Sequence, residues 1–570
     1  MKSIFKLTVL LAVVLVILNS CSKTNNEVKM IPSNALVVMH LNTKSLTSKL
    51  SWDEIRQTNW YKELYSDTAV KTWTKKLMDN PAGSGIDLDA ALVIFIQKAA
   101  GTDGQIVFEG SVKDAGAFEA FNKNLAEEGA VTTKDGDINM LNLKDVSVVG
   151  WNDKKFAYVI NTPGLPANMN NQGDSINMNT QLVNASKNLS QVCKNLFALK
   201  TDSSMAKVDK FSSLLKEEGD VHVWQNTEEI IKSSPQMGML SMLKLDVFLK
   251  GNISTATASF DNGKINVKQK FYVSAELTDL LKKYSGDKLN TDMIKNIPSQ
   301  NINGFFALSF KPEGLKEIIK LTGLDGIINS TLSKQGITID DFVKANKGDI
   351  MFAVTDFVMK KDSFNFQHQA LGDSSFSYDR PSASYLFSVS IGDKPSFDKL
   401  MTAGKKLGGD LTESMGIYFA GNDKFFAIGN AQQHVSKYIA GSNNKFDFAD
   451  KISGHPVALF VDLQKILSTS SMTTQPTKDS SNKIILDESL KIWQNVYSMG
   501  GEYKDDAFVM NSEINLVNKD TNSLKQLNRY FDRISKVIME KKKKYEQHWH
   551  QSDSSDIYPP ISMDTIPPNY

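Results

Sequence analysis

Cysteine is nearly missing from this chain. Cys21 and Cys193 are the only two in 570 residues, too few and too far apart for a disulfide framework or a cysteine-based zinc site. A surplus of charge of either sign is missing too. With 65 Lys and Arg against 64 Asp and Glu, the formal net charge is +1, which provides no global field to hold DNA or RNA, so nucleic acid is not expected as a partner. Beyond the first twenty residues no apolar run is long enough to span a bilayer as a helix. Phosphate-binding, dinucleotide-binding, zinc-protease, nucleophile-elbow and calcium-loop signatures are all absent, and no cofactor or metal is expected. What the chain does have is 41% apolar residues, enough for packed cores in roughly two to four domains.

Residues 1–20 read as an export signal. Lys2 and Lys6 precede the uncharged run Leu7–Leu18, which as a helix reaches only ~18 Å against a hydrocarbon core of about 30 Å. The run ends in Leu18-Asn19-Ser20-Cys21, which resembles the bacterial lipoprotein box. Cys21 is therefore the expected lipidation site and the link to the membrane, with several acyl chains holding the protein on one leaflet. Residues 21–30, polar and poor in apolar groups, are the expected tether.

The remainder reads as two tandem halves, residues 31–290 and 291–540, because landmarks recur in the same order. Ile31-Pro32-Ser33 before a strand returns as Ile297-Pro298-Ser299, and Gly85-Ile86-Asp87 as Gly336-Ile337-Thr338. The strand and helix of Val107–Phe121, with Asp114 and Phe118, return as Leu386–Leu400, with Asp393 and Phe397. Asn152-Asp153-Lys154-Lys155-Phe156-Ala157 returns as Asn422-Asp423-Lys424-Phe425-Phe426-Ala427, Val221–Trp224 as Val457–Phe460, and the hairpin Phe260–Ile265 as Tyr503–Phe508. Short β-branched and aromatic runs bounded by Gly, Asn and Asp predict strands, and Phe118, Phe121 and Leu125 at helical spacing predict a helix lying on them. The fold class is thus α+β, each half mainly antiparallel sheet with helices packed on one face. Asn168–Gln181, Phe364–Ser384 and Thr469–Asn482 are predicted loops, and residues 541–570, with four prolines, a disordered tail.

Candidate sites are few. His40 and His222 fall within strand patterns and read as packed side chains. Cys193 lies in a helix-like stretch with no positioned base in view, so it reads as a core thiol. Thr68, Ser175 and Thr565 each follow Asp and precede an apolar or small residue, the pattern of O-glycan acceptors in exported Bacteroidota proteins.

The lipoprotein box, the Ile31-Pro32-Ser33 opening and the Asn-Asp-Lys recurrence together make residues 1–540 resemble an uncharacterised family of large Bacteroidota lipoproteins, a domain of unknown function. The resemblance implies the Gram-negative envelope, on the periplasmic face or the cell surface, and supplies no catalytic residues. The expected function is binding or scaffolding of an envelope partner or ligand in a groove between the halves. Alternatives are an accessory role in an outer-membrane complex and a glycan- or peptide-acting hydrolase.

Overall fold

The computed structural model describes residues 28–66, 72–98, 104–126, 129–143, 147–162, 178–232, 237–242, 245–368, 372–408, 416–471 and 481–552. Cys21, Thr68, Ser175 and Thr565 lie outside these residues, as do most of the predicted loops Asn168–Gln181 and Thr469–Asn482 and the chain from 553 onward. Among the described residues no helix is long and apolar enough to cross a membrane.

Among the described residues eighteen strands form one sheet. The N-terminal run comprises β1 (Val37–Leu41), β2 (Leu92–Lys98), β3 (Gly104–Ser111), β4 (Thr133–Asp135), β5 (Ile138–Leu143), β6 (Ser147–Trp151), β7 (Lys155–Thr162), β8 (Val221–Gln225), β9 (Ile253–Asp261) and β10 (Lys264–Tyr272). The C-terminal run comprises β11 (Ile302–Ser309), β12 (Asn346–His368), β13 (Gly372–Ile391), β14 (Tyr418–Gly421), β15 (Phe425–Gly429), β16 (Val457–Val461), β17 (Trp493–Lys504) and β18 (Ala507–Leu516).

Every pairing is antiparallel. From one edge the first run is ordered 4-5-6-7-3-2-1-8-9-10. From the other edge the second run is ordered 14-15-13-12-11-16-17-18. The two meet where β10 pairs with β18, with Lys268 opposite Asn511 at the middle of the register.

Local geometry recurs along with strand order. Asp114 caps its helix by accepting from the Ala117 amide at 2.9 Å, and Asp393 does the same for Ser396 at 2.9 Å. The Asn152 side chain accepts from the amides of Lys154 and Lys155 at 3.0 and 2.9 Å, and Asn422 from those of Lys424 and Phe425, both at 2.8 Å. Asn226 after β8 and Asp462 after β16 each cap the helix that follows, by accepting from Glu229 at 3.1 Å and Lys465 at 2.9 Å. Such side-chain acceptors satisfy amides that the start of a helix or turn leaves unpaired.

Two central hairpins close with two-residue turns. In β9–β10 the Asn262-Gly263 turn has φ +66° at Gly263, where a Cβ would meet the Lys519 Cα at 2.5 Å. In β17–β18, Asp505 and Asp506 take φ +53° and +59°. Two consecutive left-handed residues make the turn whose twist suits a hairpin, and Asp tolerates it better than a branched residue would.

The helices do not keep to one face, which corrects the expectation from sequence. Val38, Val93, Phe95, Val107, Val159 and Trp224 build one core with the helices Met178–Phe197 and Asp209–Leu214. Leu41, Phe108, Val149, Phe156 and Tyr158, alternating with them along the same strands, build another with the helix Ala115–Leu125. The strands of this run are apolar at successive positions, as in Ile106-Val107-Phe108, which is the mark of burial on both faces. The C-terminal run has one core, in which Phe305, Met351, Ala353, Leu386 and Phe460 pack under Val435, Tyr438, Phe448 and Ile452. On its opposite face Phe306, Phe352 and Phe387 stand side by side on neighbouring strands and remain exposed, with Tyr385 and Phe419.

Three boundaries move. Val28, Met30 and Ile31 are already buried in the first core, so ordered packing begins inside the expected tether. Phe364–Ser384, predicted as a loop, belongs to a long hairpin: residues 358–368 and 372–382 pair only with each other, as a ribbon beyond the main sheet. The last helix, Ser523–Ser552, runs twelve residues into the predicted disordered tail 541–570, because the lysines there and the Glu and Gln after them are good helix formers.

Candidate functional site

The strand Lys264–Tyr272 alternates strictly. Lys264, Asn266, Lys268, Lys270 and Tyr272 fall on one face, and Ile265, Val267, Gln269 and Phe271 on the other. Its partner β18 sets Asn515 opposite Lys264, Glu513 opposite Asn266, Asn511 opposite Lys268 and Val509 opposite Lys270. The junction of the two runs is therefore a polar floor, and Asn511 at its centre is exposed. One wall is the helix Asp209–Leu214, whose Lys210 ammonium lies 4.4 Å from the centre of the Tyr272 ring. The other is the short helix Ala449–Ile452, whose Lys451 ammonium lies 4.3 Å from the Tyr497 ring centre. These are cation–π contacts that fix the lysines in place.

Two carboxylates organise the lysines. Glu217 accepts from Lys270 at 2.5 Å, from Lys268 at 3.4 Å and from the Thr257 hydroxyl at 2.9 Å. Glu513 pairs with Lys451 and with Lys264 at 3.5 Å, and accepts from the Asn515 amide at 2.9 Å. The carboxylate side chains are 16% and 18% exposed, whereas Lys264 and Lys268 are 41% and 43% exposed. Lys264 and Lys268 thus face solvent above carboxylates set into the floor, whereas Lys270, 13% exposed, is largely buried in its pair with Glu217.

Burial alone would raise the Glu217 and Glu513 pKa values. The neighbouring hydrogen bonds, from Lys270 and Thr257 for Glu217 and from Lys451 and Asn515 for Glu513, overcome it and hold both below the ordinary value. Lys519 is shifted down, first by burial and then by Lys451 and Lys264, with Glu513 opposing. Carboxylates with depressed pKa contribute stability that is complete above the unfolded value and is lost as pH falls through the folded one. The melting temperature is accordingly expected to fall with acidification below about pH 4.5, with a shallower fall for Glu217→Gln/Glu513→Gln. Parallel curves for wild type and variant, by calorimetry between pH 7 and 3, would count against this assignment.

Of the residues singled out from sequence, His222 borders this floor as the cross-strand neighbour of Thr257, and Cys193 lies elsewhere. His40 and His222 are buried cross-strand partners with ring centres 5.5 Å apart. His222 donates to the Glu217 carbonyl at 2.9 Å, and burial lowers its pKa. Cys193 is fully buried, its sulfur 3.9 Å from the Ala157 carbonyl, in space that Gly150 leaves open by having no side chain. Burial pushes its thiol up to about 12, so at neutral pH almost no thiolate forms.

An open cleft of about 770 Å³ is lined by Arg56, Tyr61, Tyr65 and Asp79 of the helical cap between β1 and β2. Its polar groups are largely engaged with one another or with the backbone. Arg56 pairs with Asp53, Tyr65 donates to Asp79 at 3.0 Å, and Tyr61 donates to the Met78 carbonyl at 2.8 Å. Among the described residues no three His, Cys, Asp or Glu side chains converge on a metal position.

Sequence reasoning did not single out the lysines of the junction. The signal was present in Lys264-Ile265-Asn266-Val267-Lys268-Gln269-Lys270, whose period of two puts every charge on one face. That this face lies beside β18 depends on a pairing far along the chain.

Compared with known families, residues 27–524 match the model described as Domain of unknown function (DUF4836). No curated protein and no solved structure matches the chain.

Proposed function

The chain belongs to this family of unknown function, and from that premise we propose that it is a lipid-anchored binding or scaffolding protein of the Gram-negative envelope, made of two tandem copies of one α+β unit. The duplication is supported by the matching strand orders 3-2-1-8-9-10 and 13-12-11-16-17-18, each counted inward to the junction. The paired caps of Asp114 with Asp393 and of Asn226 with Asp462 point the same way. Under this reading β10 and β18 are the same strand of each copy, meeting about a pseudo-twofold at Lys268 and Asn511. The observation that carries a binding role is the open polar junction, a half-exposed floor between two walls where a ligand can touch both copies.

The test has two parts. Cys21→Ser is expected to move the protein from the membrane to the soluble fraction. A photo-crosslinking residue at position 511 is expected to yield a recurring envelope adduct that the same residue at the exposed position 424 does not. Retention of the Cys21→Ser variant on membranes would remove the anchor, and identical adduct patterns at 511 and 424 would remove the binding surface.

A second reading, an accessory subunit of an outer-membrane complex, is favoured by the self-paired ribbon of residues 358–368 and 372–382. Two-stranded ribbons are marginal alone in water and gain from a partner. The exposed row Phe306, Phe352 and Phe387 near its root is a further apolar contact surface.

A further inference from the structure

Each run of the sheet carries a row of side chains on one face that can be followed from strand to strand. In the first run Met39 lies opposite Ile94, and then come Phe108, Tyr158, Val149 and, on β5, Leu141. In the second run Phe306 lies opposite Phe352, followed by Phe387, Ile428 and, on β14, Phe419. There the row stops, because among the described residues no strand pairs with the outer side of β14. Burial follows the difference. Val149, flanked by Leu141, is 0% exposed, whereas Phe419 is 40% exposed. Leu141 also belongs to the core in which Phe118 and Phe121 seat the helix Ala115–Leu125. The helix Lys394–Gly408, which has no such strand beside it, leaves Phe397 half-buried on Phe426.

Open strand edges are usually blunted by charge, by proline or by shortness. The edge strand β4 is three exposed residues, Thr133, Lys134 and Asp135. The ribbon carries Lys360 and Lys361 on one strand and Asp379, Arg380 and Pro381 on the other. In contrast, β14 is Tyr418-Phe419-Ala420-Gly421, with neither charge nor proline, at the end of an apolar row. Its Tyr418 and Ala420, on the opposite face from Phe419, pack against the C-terminal core. A strand added there therefore meets apolar ground on both faces. The strand β5 has that character, since Met140 and Leu141, which point to opposite faces, are both buried.

We propose that β14 is completed by an extended segment of a partner protein, added antiparallel in the place that β5 takes beside β6. The segment is uncharged at its centre and apolar there on both faces, with one side chain continuing the row beyond Phe419. Main-chain hydrogen bonds to the open edge supply affinity, and the apolar ground on each face supplies selectivity. This rests on the reading in which the aromatic row meets a partner, and it adds the mode of contact and the chemistry of the segment.

The test titrates the full chain with a synthetic peptide of its own residues 136–144, Gly-Asp-Ile-Asn-Met-Leu-Asn-Leu-Lys, and follows amide hydrogen exchange. The peptide is expected to slow exchange across residues 418–421 by about tenfold or more and to slow it in the helix Lys394–Gly408 as well. Phe419→Lys, which places a charge on the open edge at an exposed position, is expected to weaken binding by about tenfold or more without moving the melting temperature. Met242→Lys, the same kind of change at a methionine 77% exposed, is expected to leave binding unchanged. A peptide carrying Met140→Glu/Leu141→Glu should lose the binding. So should one of two peptides N-methylated at alternate residues, since only every second amide of an antiparallel strand faces a given neighbour. Equal binding by the glutamate peptide, or equal effects of the two lysine variants, would overturn the assignment. A dimer that Phe419→Lys converts to monomer, with no peptide bound, would give the edge to a second copy and overturn the partner segment. If the peptide does not bind while a photo-crosslinking residue at position 352 still yields an envelope adduct, the added strand fails and the aromatic contact surface stands; if that adduct is missing too, both fall.

Discussion

Phe118→Ala is expected to cost about 3–5 kcal/mol, the range for removing a large aromatic from a closed core, whereas Phe397→Ala should cost only about 1–2 kcal/mol. The two residues each follow a helix-capping aspartate, Asp114 and Asp393, yet their surroundings differ. Phe118 is fully buried, with ring centres at 5.1 Å from Phe156, 5.7 Å from Trp151 and 6.2 Å from Tyr158. Phe397 is half-buried against Phe426, at 5.3 Å. Truncating the first leaves a cavity in a rigid aromatic cluster, and truncating the second leaves a dent that water fills. Calorimetric melting of both variants decides it, with a fall of roughly 10 °C expected for the first. Equal shifts would mean that the second helix is as tightly seated as the first.

Val267→Pro is expected to be the most damaging single change at the junction, about 3 kcal/mol or more from a lost ladder bond, an orphaned carbonyl and the clash of the ring. Val267 pairs with Ala258 on one side and with Ser512 on the other, so no edge is available to accommodate a residue without an amide proton. The weakest consequence should be separation of the melting of the two runs into distinct transitions, and the strongest, proteolytic cleavage between Tyr272 and Ile302. Val267→Thr keeps the amide and should preserve a single transition. If the proline variant melts at the wild-type temperature in one step, β10 and β18 are not the structural joint.

Much of this was legible in the sequence, and the rest was hidden for definable reasons. Asn262-Gly263 announced a hairpin, Asp114 and Asp393 announced helix starts, and Asn152 and Asn422 announced identical turns. All are local signals, in which a side chain bonds the backbone two or three residues away. The ribbon of residues 358–368 and 372–382 was missed because Ser, Asp, Gly and Pro dominate its second strand and are turn formers elsewhere. An isolated ribbon tolerates them, since Pro381 near its root needs no amide proton for an outer neighbour. Burial on both faces was readable in Ile106-Val107-Phe108 but was outweighed by the expectation of half-buried strands. The polar floor was the least legible, because half of it is supplied by β18, and no local pattern says which distant strand will lie beside β10.

That placement shapes how the protein is made. The last strand of the sheet to be synthesised does not join at a rim; it fills a vacancy in the middle. Until β18 leaves the ribosome, about 240 residues after β10, the amides and carbonyls along one side of Lys264–Tyr272 wait without a mate. A chain built this way gains from being kept unfolded by chaperones until its C-terminal quarter is complete, since a second nascent copy offers the same strand as a substitute.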